Sequence, residues 1–299
     1  SINGSNNNDG SIDNPFSSIQ FAYDRADEQD TILVHPGVYY DDIWFYGKNV
    51  VLGSLFLTTG DTSFLSSTII DGDSTDCTIA IYGNIDSTCR ITGFTIQNGI
   101  GCVYGQGAGI YVESASPRLD NLIIKNNISG TNGGGICLNG NSNSLIDKVL
   151  IKNNSADVGG GLYSFNSNPV ITNSIIQNNH ANNGAGVFLE LCSPNFENVS
   201  IIGNNAISSG GGIYCGLTSC PVLNHVTISN NSASSGGGIS SIQNSQPMFS
   251  NSILWGDAPE EIISNPDSIT IVYSNVQGGW QGSGNINQDP LFCMIEDGD

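Results

Sequence analysis

Apolar residues in this chain fall in short alternating runs, and the runs repeat. A glycine-rich string recurs at Gly107–Ile110, Gly133–Ile136, Gly159–Leu162, Gly184–Val187, Gly210–Ile213 and Gly236–Ile239, at spacings of 26, 26, 25, 26 and 26 residues. A second string keeps step: LDNLIIKNN, IDKVLIKNN, ITNSIIQNN, FENVSIIGNN and LNHVTISNN. Each repeat has room for three short strands. The first starts at the glycines, as in GGIYCG. The second follows a variable loop that often ends in proline (Pro117, Pro169, Pro194, Pro221, Pro247). The third follows a single polar bend residue, and an Asn pair opens the last turn. Strands this short are not stable as isolated hairpins, but each can pair with its equivalent in the next repeat. That predicts a parallel β-solenoid rising about 4.8 Å per coil.

The columns agree. Ile91, Leu119, Ile146, Ile171, Phe196, Leu223 and Phe249 share one position in successive coils. Ile96, Ile124, Ile151, Ile176, Ile201, Ile228 and Leu254 share a second, and Ile110, Ile136, Leu162, Val187, Ile213 and Ile239 a third. Three apolar stacks fill a narrow core. The bend carries Asn121, Lys148, Asn173, Asn198, His225 and Asn251, where stacked amides are expected to bond along the axis.

This pattern resembles the secreted right-handed parallel β-helix repeat proteins of the pectate-lyase-like superfamily, over roughly residues 30–290. Asp9–Ser11 and Asn14–Phe16, then a helix over about Ser17–Asp27, a strand Thr31–His35 and a turn Pro36–Tyr39 resemble the opening segment of such proteins. Ile19, Ala22, Tyr23 and Ala26 would face the first coil and cap its open end. The expected organisation is one all-β domain, 1–299: a cap segment at 1–30, regular coils at 31–251 and irregular closing coils at 252–299. Tyr273–Phe292 resembles such closing coils. A start at Ser1 without Met fits a processed or trimmed chain, and another strand is expected beyond Asp299.

Composition narrows the partners. The 299 residues include 38 Gly and 37 Asn, and 7 Lys+Arg against 27 Asp+Glu give a net charge of -20. Nucleic acid is excluded, because phosphate backbones need clustered cations. No apolar run has the length of a membrane span, so direct membrane insertion is not expected. The cysteines are Cys77, Cys89, Cys102, Cys137, Cys192, Cys215, Cys220 and Cys293. They have no zinc-site spacing and read as small buried residues, with one or two disulfides among them; Cys215/Cys220 and Cys77/Cys89 are close in sequence.

Three groups are candidates for chemistry. The resemblance implies a groove along the glycine-led sheet, a basic side chain and a carboxylate-bound calcium. Among the basic residues, Arg118 and Lys125 are the catalytic candidates; Arg90 precedes Arg118 in one column, and Lys152 follows Lys125 in another. The same residues read equally as solvated charges on an acidic surface. Asp71, Asp73 and Asp76 have the alternate spacing of a calcium loop, and equally of an ordinary turn. Tyr111, Tyr163, Phe188 and Tyr214 follow the inward residue of the glycine-led strand. Alternation points them outward, as a platform for sugars or as rings that steady the sheet. Glu113, Asn139 and Glu190 stand two positions further on.

Two functions stay open. One is an extracellular or cell-surface module without catalysis, structural, adhesin-like or glycan-binding. It would need no cofactor, and its partners would be a glycan, another surface protein or a second copy stacked end to end. The other is a polysaccharide lyase or hydrolase acting on an acidic glycan such as pectate or alginate, with calcium as its cofactor. A fold alone does not assign the function.

Overall fold

The computed structural model describes residues 1–265 and 268–292. It is a parallel β-solenoid with three short α-helices. Nine parallel strands form the glycine-led sheet, from Ile43–Tyr46 through Ile79–Tyr82, Ile110–Glu113 and Ile136–Asn139 to Ile262–Ser264. The second and third strands of each coil build the rest of the wall. In two coils they run together as single strands, Arg118–Lys125 and Leu145–Lys152. A fourth, partial face adds His180–Asn183 against Asn205–Ser209.

The three apolar columns pair as the repeat requires. Ile91, Leu119, Ile146, Ile171, Phe196, Leu223 and Phe249 stand in unbroken register. All are buried, as are the second and third columns, in one core. Such burial contributes about 1.5–3 kcal/mol per large side chain. Pairing continues beyond the regular repeats, through Thr270–Val272 and Asn275–Val276.

The cap helix is Ile19–Arg25, with Ser18 Oγ accepting from the Phe21 amide at 3.1 Å. Ile19 and Tyr23 join the core and Ala26 packs on its edge. The first strand is Thr31–Val34. Pro36–Tyr39, expected as a turn, contributes a strand at Gly37–Tyr39. Two further short helices, Phe56–Thr59 and Ser63–Ser67, form an insertion that the repeat pattern does not announce.

The asparagines divide into two roles, and here the structure corrects the sequence reading. The bend residues Asn121, Lys148, Asn173, Asn198, His225 and Asn251 have φ between 50° and 55°. Asn tolerates this left-handed conformation better than most residues, which explains the column. Their side chains do not form a continuous stack; Asn198 reaches Asn173 at 3.3 Å, at the surface. The ladder runs instead through Asn127, Asn154, Asn179, Asn204 and Asn231, all buried. From Asn154 on, each Oδ1 accepts both the amide N–H and the side-chain Nδ2 of its counterpart one coil earlier, at 2.9–3.1 Å, and Asn127 Oδ1 accepts the Gly99 amide at 3.0 Å. Each Nδ2 also donates to an isoleucine carbonyl, such as Ile124 O from Asn154 at 3.0 Å. The ladder satisfies buried groups at a turn where no strand can.

The expected disulfides at Cys215/Cys220 and Cys77/Cys89 are absent: these four carry free thiols, as do Cys137 and Cys192. Cys89 belongs to the inner core and Cys77 to a cluster outside the wall, so the sheet separates them. Cys293 lies outside the described residues.

Candidate functional site: the outer face of the glycine-led sheet

Two outward columns line this face. Register places Trp44, Ala80, Tyr111, Cys137, Tyr163, Phe188 and Tyr214 in one. It places Tyr46, Tyr82, Glu113, Asn139, Phe165 and Glu190 in the other. Tyr111, Tyr163, Phe188 and Tyr214 do point away from the inner core. They are not an open platform, however: Tyr111 is 2%, Tyr163 7% and Phe188 6% exposed, and Tyr214 is half-buried.

The cover comes from the glycine turn itself. A Cβ on Gly107 would lie 2.7 Å from Tyr111 Cβ, and one on Gly159 2.8 Å from Tyr163 Cβ. The turn thus folds back over the outward residue four positions later. The rings cover one another as well: Phe188 stacks on Tyr163 at 5.5 Å and on Tyr214 at 4.6 Å. Burial pushes the phenols of Tyr82, Tyr111 and Tyr163 up, so they remain neutral hydrogen-bonding groups at neutral pH. Burial also raises the Glu190 carboxyl.

More accessible aromatic ground lies further toward the N-terminus. Trp44, Tyr46 and Tyr82 form a near-parallel triplet, with centroids 5.3–6.1 Å apart and planes within 13°. Tyr46 is 56% exposed. The sequence reading missed these residues, because the glycine string that marks the column begins only at Gly107. The alternation in IWFY and IAIY was the available signal.

The basic candidates are held by the fold. Asp120, fully buried, accepts from Arg90 Nε and Nη2 at 2.7 Å and from Arg118 Nε at 2.8 Å. Thr92 Oγ1 at 2.9 Å and Asn121 Nδ2 at 2.6 Å complete its shell. Burial by itself would raise this carboxyl, but the arginine and threonine bonds outweigh it and bring it to about 2. Lys125 stands beside Lys152 one coil on and makes no ion pair among the described residues.

The acidic candidates separate. Asp71 is buried, and its carboxylate takes the Asp73 amide at 3.0 Å, Gln97 Nε2 at 2.7 Å and Asn98 Nδ2 at 2.8 Å. Asp71 Oδ2 takes two of those donors and Oδ1 one, and Asp73 is exposed. Asp76 lies instead with Cys77 and Cys102, their ligand atoms within 4.8 Å of one another.

A family model described as the right handed beta helix region matches residues 53–224, more than half of the chain. The chain belongs to this right-handed β-helix family. The Chlamydia polymorphic membrane protein repeat matches residues 225–242. No curated protein sequence matches. Among solved structures, a pectin methylesterase from Yersinia enterocolitica aligns at 13% identity and a TM-score of 0.50, over 92% of each chain. One from Erwinia chrysanthemi aligns at 11% and 0.50, over 93% of this chain and 88% of its own. A pectate lyase aligns at 14% and 0.50, over 94% of this chain and 78% of its own. At such identities the likeness is one of fold, the right-handed parallel β-helix. No helix among the described residues is long and apolar enough to cross a membrane.

Proposed function

We propose that this β-helix is a secreted or cell-surface module that binds neutral glycans on the outer face of its glycine-led sheet, without catalysis. The observation that carries this reading is the stacked triplet Trp44, Tyr46 and Tyr82, in which Tyr46 is exposed and the other two are half-buried. Flat aromatic surface matches the C–H faces of sugars, and the polar column beside it (Glu113, Asn139) supplies hydroxyl partners. The net charge of -20 disfavours polyuronates, which would need a bridging cation. Arg118, one of the two basic candidates, is committed to Asp120, which supports binding over acid–base chemistry. The fold neighbours are pectin methylesterases and a pectate lyase, which supports a carbohydrate ligand. The polymorphic membrane protein repeat supports a surface location.

The test is affinity electrophoresis against neutral polysaccharides and polygalacturonate, with reducing ends and unsaturated uronate followed in parallel. Retardation by a neutral glycan without product is expected. Tyr46→Ala should weaken it about tenfold, the scale of an aromatic contact of about 1.4 kcal/mol. Product from any glycan would make the chain an enzyme, and no retardation by any glycan would remove the binding assignment.

A further inference from the structure

The group outside the wall at Asp76, Cys77 and Cys102 has no part in glycan binding as argued above. Its three ligand atoms, two sulfurs and a carboxylate oxygen, lie within 4.8 Å of one another. A tetrahedral zinc site with bonds of about 2.0–2.3 Å sets its donors about 3.3–3.8 Å apart. The group therefore sits within about 1–1.5 Å of closing on an ion. Cys77 is fully buried, while Asp76 and Cys102 are half-buried and give a route from solvent.

The surroundings favour a cation. Asp42 lies on the same rim. Thr75 Oγ1 donates to its Oδ2 at 3.1 Å, whereas its Oδ1 is buried with no donor. Neither Asp42 nor Asp76 has an ion pair among the described residues. The Tyr82 hydroxyl lies 4.0 Å from Cys102 Sγ. Other buried cysteines, such as Cys89 and Cys215, pack in the inner core as apolar residues. Cys77 and Cys102 pack instead in the cluster outside the wall, beside Asp76, whose Oδ1 accepts the Cys77 amide at 2.8 Å, and beside Asp42.

We propose that Asp76, Cys77 and Cys102 bind one thiophilic divalent cation of the zinc type, with Asp42 or water in the fourth position. Two thiolates select a soft or borderline ion over calcium. Binding releases one proton from each thiol to solvent, and the ion supplies the positive charge that the acidic rim lacks. The site would tie the loop around Cys102 to the coil at Asp76–Cys77.

The test uses the whole chain, purified with reductant and then desalted. Zinc is titrated by competition with a chromogenic chelator, and cobalt(II) is added as a spectroscopic probe of thiolate ligation. One equivalent per chain is expected, with a sulfur-to-cobalt charge-transfer band. Cys102→Ser and Cys77→Ser should each weaken binding about 100-fold and remove the band, and Asp76→Asn should weaken it about tenfold. Cys220→Ser should leave both unchanged. If Cys77→Ser misfolds by circular dichroism, Cys102→Ser and Asp76→Asn decide. Zinc binding by the wild type no tighter than by Cys102→Ser would overturn the proposal. So would mass spectrometry showing Cys77 and Cys102 joined as a disulfide in protein purified without reductant.

Discussion

Asp120 shows how one buried charge dictates the placement of two others. Its carboxylate has no exposure, and five donors from Arg90, Arg118, Thr92 and Asn121 surround it. The sequence presents Arg90 and Arg118 as one column but not the acid between them, because Asp120 is a buried charge on a strand that otherwise alternates normally. Arg118→Ala should cost about 1 kcal/mol, since this half-exposed side chain leaves Arg90 in place. Arg90→Ala with Arg118→Ala should cost about 3–5 kcal/mol, because an uncompensated charge remains buried. Urea unfolding at neutral pH measures both, and glycan retardation should not change. The sign in acid follows from the carboxyl at about 2, below its unfolded value of about 3.9. Its stabilisation is present above pH 4 and is lost as pH falls through 2.

At the scale of the element, the repeat depends on backbone contacts that leave no room for side chains. A Cβ on Gly135 would lie 2.5 Å from Gly161 O and 2.8 Å from Ile151 Cγ2. Gly135→Ala should therefore force adjacent coils apart and cost about 1–3 kcal/mol, measured as a lower urea midpoint. The asparagine ladder ends on a different residue. Asp257 takes the next place, its Oδ1 accepting from Asn231 N at 2.6 Å and Asn231 Nδ2 at 2.9 Å. Its Oδ2 and Glu261 Oε2 are buried without partners. Burial first, and then the neighbouring Glu261 carboxyl, hold the Asp257 carboxyl well above the usual range. The folded state thus keeps a proton that the unfolded chain loses above about pH 4, and stability falls as pH rises toward the folded value. Asp257→Asn restores an amide, which by the ladder's pattern would face the Ile228 carbonyl. It should flatten that slope and raise the melting temperature at pH 8, as thermal scans from pH 4 to 9 would record.

At the scale of the molecule, a solenoid must end somewhere. Ile19 and Tyr23 cover the N-terminal opening, and among the described residues Thr31–Val34 pairs only with Val51–Ser54, leaving its other edge unpaired. Such edges template association. Deleting residues 1–30 should expose both the core and this edge, and produce species larger than a monomer in size-exclusion chromatography at concentrations where the full chain stays monomeric. A truncated chain that remains monomeric and equally stable would show that the cap does not guard this end.

The sequence by itself determined the solenoid, its three apolar columns and the capping helix. Each of these depends on local periodicity repeated in phase, and parallel stacking turns a period in sequence into a column in space. Alternation also told which side of the sheet Tyr111, Tyr163, Phe188 and Tyr214 occupy. It did not tell that a glycine turn folds over them, because that cover comes from the turn before the strand and from rings in neighbouring coils, and not from the strand itself. The same limit hid the pairing of both arginines with Asp120, the passage of the ladder through Asn127 to Asn231 and the meeting of Cys77 with Cys102. Apart from Arg118 with Asp120, two positions apart on one strand, these contacts join residues about one coil or more apart, at distances that only the stacking of the coils decides.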